Sequence, residues 1–436
     1  MKTGFPTWLN NYISKLRLLI SPGSFKAHVA TMMTGTVIAQ VITVVAAPIL
    51  TRWYTAENFG SFLLYVSFTI ILSTLVTGRY EQSIVVQKED SDALRLLTFT
   101  LILVCFCSLT ILFFLLIFAP SVARLTRDSH IQFWLYFVPL SVVCTAASDI
   151  CTCWFIRKKL FSIVAKRRVV QAVIMIMVQL ILGAVSIPFG LIVGWIAGDI
   201  LVATFFIFTL FSMETGRLRD SWQGLSFKNV AVQHRQFPLY DAPAILIHTL
   251  TNQLPVILCS SFFGPAIAGF YGFTQRILNI PITFVAQSIS DVFKQRISAE
   301  YARVGTIWTL YLKTIKSLHF VVVPFLAVLL LFAPQLFVFI FGKEWVIAGR
   351  FAQYLSVYYS LRFYSSATSF VFILQKKQVY NLCIQISMLI AVMISLYIGY
   401  FYQKNALLAI FILGFLGSVV YLVSWRLINV LAEKHA

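Results

Sequence analysis

Residues 254–291 decide the fold and read LPVILCSSFFGPAIAGFYGFTQRILNIPITFVAQSISD. Two apolar segments meet there at the turn Gly264-Pro265. Arg276 follows about ten residues later, which at about 1.5 Å per residue is roughly 15 Å deep, near the middle of a bilayer core of about 30 Å. A cation at that depth indicates a functional site. The alternative is that Arg276 pairs with an aspartate and only locks helices together.

Polar side chains follow Arg276 at steps of three and four residues. The set is Arg276, Asn279, Thr283, Gln287 and Ser290. On a helix this spacing forms one polar stripe that runs from the midplane toward one membrane surface. A stripe facing lipid would leave polar groups unsatisfied, so we expect it to face a cavity, a pore or other helices.

The composition is that of a membrane protein. Of 436 residues, 59% are hydrophobic and only 11% are charged, and the mean hydropathy is +0.87. Long apolar runs recur along the chain, which predicts an all-α polytopic membrane protein because each helix satisfies its own backbone polar groups in lipid. The seven cysteines fall in apolar segments, so neither a disulfide framework nor a metal site is expected.

Twelve membrane spans are predicted. They cover 28–50, 61–86, 95–119, 131–155, 167–187, 189–212, 239–262, 266–290, 309–332, 346–372, 379–402 and 405–427. With the N-terminus in the cytoplasm, twenty-six Lys and Arg lie on the inner side. The outer loops hold six, which are Arg52, Arg124, Arg127, Lys343, Arg350 and Lys404. This bias is the positive-inside rule, and it places both termini in the cytoplasm and explains the net charge of +19 without a nucleic-acid partner.

Three short motifs recur in order along the chain. Trp53-Tyr54 and Gly60 match Phe262-Phe263 and Gly269 at an offset of 209, 118–120 match 332–334 at 214, and 155–159 match 373–377 at 218. The repeats predict two parallel six-helix halves around a central cavity, which is a transporter plan with substrate near the midplane. The predicted parts are a cytoplasmic interfacial helix (1–27), an N-terminal half (28–213), a cytoplasmic connector (214–238), a C-terminal half (239–428) and a cytoplasmic tail (429–436).

Several polar residues within the spans are candidate ligands. Arginine suits a diphosphate because its charge is permanent and its planar fork binds phosphate oxygens bidentately; the candidates are Arg276, Arg362 and Arg79. Amide and hydroxyl groups suit sugars; the candidates are Gln40, Asn252, Asn279, Gln287 and Tyr358. Candidates for ion coupling or charge pairing are Asp199, Asp149, Glu81 and His248.

Two roles remain open for the intramembrane aspartates. Asp199 and Asp149 could be counter-ions of Arg276 and Arg362, or an unpaired one could carry a proton. The sequence has no Gly-rich phosphate-binding loop and no HExxH motif, so no ATP hydrolysis, metal or cofactor is expected.

Four motifs resemble a known family over about residues 28–430. They are GTVIAQVITVVAAPILTRWYTAENFGSF (35–62), GRYEQSIVVQKEDSDA (78–93), FPLYDAPAILIHTLTNQLPVILCSSFFGPAIAGFYGFTQRILNIP (237–281) and FGKEWVIAG (341–349). The family is the polysaccharide repeat-unit (O-antigen, Wzx-type) flippases of the multidrug/oligosaccharidyl-lipid/polysaccharide exporter (MOP) superfamily. Its recurrent charged positions match Arg79, Glu81 and Arg276.

The resemblance implies flipping of an undecaprenyl-diphosphate-linked oligosaccharide across the bacterial inner membrane by alternating access. It also implies a role in lipopolysaccharide biosynthesis. The implied partners are membrane lipids, a polysaccharide polymerase and chain-length proteins. One alternative is an ion-coupled exporter of small organic cations on the same plan, which should have an acidic cavity. A sugar-transferring membrane enzyme is disfavoured because the outer loops are short, so the protein is not expected to be an enzyme.

Overall fold

The computed structural model describes residues 25–223, 227–304 and 306–433, and these are helical with no strand. The helices are α1 (Phe25–Trp53), α2 (Ala56–Val76), α3 (Tyr80–Val86), α4 (Asp90–Leu125), α5 (Ile131–Leu135), α6 (Val138–Arg157), α7 (Phe161–Ala184), α8 (Gly190–Gln223), α9 (Phe227–Gln233), α10 (Ala242–Phe263), α11 (Pro265–Pro281), α12 (Gln287–Val304), α13 (Trp308–Phe341), α14 (Val346–Thr368), α15 (Phe370–Leu374), α16 (Gln378–Gln403) and α17 (Ala406–Glu433). Most of the predicted interfacial helix (1–27) lies outside the described residues. The all-α prediction is confirmed.

Ten segments of the described chain are long and apolar enough to cross a membrane. The other two predicted crossings run through α11–α12 and through α14, which carry Arg276 and Arg362. Their polar residues lower the hydropathy, and α11 itself has only 17 residues before a π-helical turn at Ile282–Ala286. The protein is a multi-pass membrane protein, and about twelve crossings are compatible with its structure.

The second predicted span, 61–86, is wrong in both of its bounds. Helix α2 begins at Ala56 and ends at Val76. Gly78 and Arg79 then take positive φ angles of 52° and 62°, and the short helix α3 follows. Left-handed backbone ends a helix, so the polar residues after Gly78 belong to a turn and a separate helix.

The two membrane sides can be named from the helix ends. We name the side where α2 ends and α10 begins the basic side, because most Lys and Arg lie there. The side where α1 ends and α11 begins is named the opposite side.

A reciprocal glycine contact joins α2 of the N-terminal half to α11 of the C-terminal half. A Cβ on Gly60 would lie 1.9 Å from the carbonyl oxygen of Pro265, and one on Gly269 would lie 1.9 Å from that of Ala56. Ala56 and Gly60 correspond to Pro265 and Gly269 at the offset of 209 found in the sequence. Reciprocity of this kind is what a two-fold relation between halves produces.

The third repeated motif has a register one residue away from the predicted one. Lys159 and Lys376 occupy the same position of a helix-ending turn, with φ angles of 59° and 54°. Their amides donate to the carbonyls of Ile156 and Ile373 at 2.9 and 3.0 Å. The structural offset is therefore 217 and not 218. The position of the helix-ending turn shows which residues correspond in the two halves, whereas a match of residue types alone does not.

The halves are held together on the opposite side. The indole nitrogen of Trp345 donates to the carbonyl oxygen of Thr51 at 3.1 Å, and the Ser260 hydroxyl donates to the carbonyl oxygen of Thr126 at 2.6 Å. Trp345 is buried and its ring lies 4.5 Å from that of Phe273. These bonds connect loops of one half to helices of the other. The space between the halves lies on the basic side of these bonds.

Candidate functional site

A central cavity of about 580 Å³ lies between the two halves. The N-terminal half gives it a mostly apolar wall of Phe62, Leu63, Val66, Ser67, Ile70 and Trp195. The C-terminal half gives it most of its polar and cationic side chains, which are His248, Thr249, Asn252, Gln253, Gln275, Arg276, Asn279, Thr283 and Arg362. The cavity is therefore amphiphilic, and no carboxylate is among the described residues that line it.

Arg276 projects into this cavity from α11 without a partner. It forms no hydrogen bond or ion pair with any residue that the structure describes, although it is half-buried. Arg276, Asn279 and Thr283 also line a smaller cavity of about 330 Å³ between α1 and α11. The predicted polar stripe therefore lines both cavities from Arg276 to Thr283, which lies in the π-helical turn just after α11.

Arg362 reaches the same cavity from α14 and is held only by neutral groups. Its guanidinium donates to the amide oxygen of Asn252 at 3.0 Å and to the Tyr358 hydroxyl at 3.3 Å. It also lies 5.6 Å from the centre of the Tyr359 ring, which is a cation–π contact. Within the described chain no carboxylate comes within 4.0 Å of Arg362, so two guanidinium charges in one cavity lack a counter-ion.

Arg79 lies apart from these two arginines, on the basic side. Its guanidinium pairs with Asp241 of the other half at 2.8 Å and with Glu81 at 3.2 Å. Burial raises the pKa of Glu81, and the nearby charge of Arg79 opposes that shift. Arg79 and Asp241 line a separate cavity of about 500 Å³, so the three predicted diphosphate ligands do not form one cluster.

The intramembrane aspartates are not the counter-ions of the cavity arginines. Asp149 pairs with Arg167 of the neighbouring helix at 3.1 Å. Asp199 is buried and accepts hydrogen bonds from Gln171 at 2.7 Å and Thr145 at 3.2 Å. Both contacts lie inside the N-terminal half, because the rotation of its helices turns these side chains away from the central space.

The remaining predicted residues lie in different places, some in a cavity wall and some outside both cavities. Asn252, Asn279 and His248 line the central cavity, and Gln40 lines the smaller one, where its Oε1 has no hydrogen-bond partner. Tyr358 is buried and contacts Arg362, while Gln287 begins α12 outside both linings. No group of three or more His, Cys, Asp or Glu that could hold a metal ion occurs in the described ranges.

Sequence reasoning missed several cavity residues, among them Gln253, Gln275 and Trp195. Gln253 and Gln275 lie next to Asn252 and Arg276, and the Gln275 amide donates to the Asn252 carbonyl at 2.9 Å. Polar side chains within apolar spans are unusual, and this feature could have identified both glutamines from the sequence. Trp195 gave no signal, because a tryptophan near a span end is ordinary in membrane proteins, yet here its indole N–H is buried without a partner.

Comparisons with known proteins agree with this architecture. Residues 49–348 match the model of a family described as polysaccharide biosynthesis protein. The lipid II flippase MurJ, in an inward closed conformation, is similar with a TM-score of 0.73 and 11% identity over 92% of this chain and 90% of that one. No curated protein matches the chain in sequence.

Two further solved structures are similar. One is an inward-facing multidrug resistance MATE family transporter of the MOP superfamily, with a TM-score of 0.67 and 17% identity over 91% of this chain and 96% of that one. The other is a MOP superfamily transporter from Pyrococcus furiosus, with a TM-score of 0.59 and 15% identity over 96% and 98%. The chain therefore has the fold of MOP superfamily transporters.

Proposed function

Because the chain belongs to the polysaccharide biosynthesis protein family, we propose that it flips a lipid-linked oligosaccharide between the leaflets of a membrane. The substrate class we infer is an undecaprenyl-diphosphate-linked repeat unit of O-antigen or a related surface polysaccharide. The direction is from the cytoplasmic leaflet, at the basic side, to the periplasmic leaflet of a bacterial inner membrane, with both termini in the cytoplasm. A polymerase and chain-length proteins would act on the product.

The observation that carries this proposal is the pair of guanidinium groups without counter-ions, Arg276 and Arg362, in one cavity. A cation loses much hydration when it is half-buried, and only an anion or strong acceptors offset that loss. A diphosphate supplies acceptor oxygens for two planar forks. The same two charges argue against an exporter of organic cations, whose cavity should attract positive charge.

The two walls suit the two chemistries of such a substrate. Amides of Asn252, Asn279 and Gln275 can hydrogen-bond sugar hydroxyls, and the ring of Trp195 lines the same cavity and offers a surface against which a sugar can pack. A volume of about 580 Å³ is within the range of about 300–1,000 Å³ that is usual for small-ligand sites. The diphosphate and the first sugars fit such a space, and the halves would separate further to admit longer glycans while the prenyl tail stays in lipid.

Arg79 has a different role in this proposal. It pairs with two carboxylates, and Asp241 is 47% exposed in the wall of the basic-side cavity. An arriving diphosphate would replace Asp241 as the partner of Arg79. Because that ion pair links the two halves, its exchange would loosen them on the side where the substrate enters.

Asp199 is the residue that we propose for energy coupling. It is buried, and it accepts hydrogen bonds from the neutral side chains of Thr145 and Gln171. A buried carboxyl held only by neutral donors binds a proton or a small cation more readily than one paired with arginine. Asp149, which pairs with Arg167, is a charge-pairing residue instead.

Transport by the purified protein separates the two substrate classes. In proteoliposomes we expect it to translocate a fluorescent polyprenyl-diphosphate oligosaccharide and not to accumulate ethidium, an organic cation, under a proton or sodium gradient. Protein-free liposomes and a liposome-reconstituted Arg276→Gln/Arg362→Gln variant are the controls. Ethidium transport without movement of the lipid-linked sugar would replace the flippase proposal with the cation exporter.

A further inference from the structure

A fourth cavity, of about 580 Å³, lies on the opposite side of the membrane where the two halves meet. Its polar wall contains Arg127 and Lys404 together with Asn405, and its apolar wall includes Phe262, Phe263 and Phe351. It shares no lining residue with the central cavity. It is therefore a separate basic pocket with an aromatic floor.

Arg127 lies in this pocket with neutral partners only. Its guanidinium donates to the carbonyl oxygen of Phe262 at 3.1 Å and to the Tyr400 hydroxyl at 3.0 Å, and lies 5.6 Å from the centre of the Tyr400 ring. The neighbouring carboxylate of Asp128 is turned away, because it accepts from the Ser61 hydroxyl at 2.5 Å. The charge of Arg127 is thus not neutralised by any carboxylate that the structure describes.

Lys404 adds a second cation to the same pocket. It also has no ion pair within the described ranges. The long helix α17 begins two residues later, with Asn405 accepting from the amide of Leu407 at 2.9 Å. The positive end of a helix adds to the attraction for an anion.

Both cations stand on left-handed backbone. Arg127 has a φ of 52° and Lys404 a φ of 49°, a conformation that costs non-glycine residues of order 1 kcal/mol or more. Both also belong to the six Lys and Arg of the loops predicted to be outside, against twenty-six inside. The same left-handed backbone also ends helices at Lys159 and Lys376, so the conformation fixes only where the two cations stand. Their lack of a carboxylate partner among the described residues is what favours an anion.

We propose that this pocket is an anion site for the phosphate headgroup of a lipid, and that it receives the substrate diphosphate after the central cavity releases it. The assignment to the transported lipid rests on the proposed function. Phosphate oxygens would replace the Phe262 carbonyl and the Tyr400 hydroxyl at Arg127, and Lys404 would supply a point charge. The stacked rings of Phe262 and Tyr400, 4.9 Å apart, would pack against a sugar or the first prenyl unit.

Binding of farnesyl diphosphate to the protein in phosphatidylcholine nanodiscs tests this site. The Arg276→Gln/Arg362→Gln variant serves as background, because it lacks the cavity charges. In that background we expect Arg127→Gln/Lys404→Gln to weaken binding at least about 10-fold, since each charged hydrogen bond contributes about 1.5–3 kcal/mol. Arg127→Lys keeps the charge but loses the planar fork, so it should weaken binding less than Arg127→Gln/Lys404→Gln does. An unchanged midpoint of thermal unfolding in both variants shows that the loss is not misfolding.

Arg124→Gln is the matched control, because Arg124 is exposed on the same segment but does not line the pocket. Equal binding by Arg127→Gln/Lys404→Gln and Arg124→Gln, or no residual binding in the background, would overturn the site. Loss of farnesyl diphosphate binding when phosphatidylglycerol is added would keep the anion site but assign it to phospholipid headgroups. If the wild type flips no lipid-linked sugar yet this binding pattern holds, the pocket stands and the proposed function fails.

Discussion

Replacing Arg276 by glutamine is expected to slow transport of a diphosphate-linked oligosaccharide about 10- to 100-fold at subsaturating substrate, while leaving the protein at least as stable as the wild type. Arg276 is half-buried and has no partner among the described residues, so its charge destabilises the empty protein. The substrate would supply the missing partner. Loss of a charged, bidentate contact should lower substrate affinity about 10- to 100-fold, and Arg276→Lys should restore only part of it.

Two measurements on the same variants decide this prediction. They are the flipping rate at subsaturating substrate in proteoliposomes and the midpoint of thermal unfolding in detergent. Arg167→Gln is the matched control, because Arg167 is also half-buried but does have a carboxylate partner, Asp149 at 3.1 Å. Its loss should lower the melting temperature. If Arg276→Gln lowers the melting temperature equally, Arg276 is a structural residue and the diphosphate role is wrong.

Alanine at both Gly60 and Gly269 is expected to force the halves apart on the opposite side. Each new Cβ would overlap a backbone carbonyl at 1.9 Å, and no rotamer change can move a backbone atom. Overpacking of this kind costs about 1–3 kcal/mol per site. A bias of about 3 kcal/mol shifts a two-state equilibrium roughly 100-fold, so the double variant should populate a state that is open to the opposite side.

Labelling from the opposite side measures that shift. A cysteine introduced at Leu63, which lines the central cavity, should react with a membrane-impermeant maleimide much faster in the Gly60→Ala/Gly269→Ala protein. The control is Gly216→Ala, because nothing lies within 4 Å of a Cβ at Gly216. An unchanged labelling rate would mean that the α2–α11 contact does not hold the halves closed.

Much of the architecture followed from sequence because it depends on periodicity. The 3.6-residue period places Arg276, Asn279 and Thr283 on one face of a helix whatever that helix packs against, and all three line the central cavity. The repeat at an offset of 209 likewise predicted two similar halves, and the structure shows that the matched residues Gly60 and Gly269 make reciprocal contacts. Such features need only local geometry and the symmetry of two similar halves.

The partners of buried charges did not follow from sequence, because they depend on helix rotation and on turns. The sequence left Asp149 open as a counter-ion of Arg276 or Arg362, and only the packing of α6 on α7 selects Arg167. Arg79 was predicted as a diphosphate ligand at the inner end of the second span. Its pairing with Asp241 of the other half follows the left-handed turn at Gly78, which the sequence did not predict. Trp195 lines the cavity because α8 packs behind α2. No spacing of residues in the sequence predicts that contact.

The most direct test of the central claim is a structure of the protein in nanodiscs loaded with a polyprenyl-diphosphate oligosaccharide. We predict the phosphates in the central cavity, with oxygens about 2.7–3.2 Å from the guanidinium nitrogens of Arg276 and Arg362. The first sugar should contact Asn252 or Trp195. The account would be contradicted by phosphates bound elsewhere, with no substrate in the central cavity and with Arg276 and Arg362 in their present conformations.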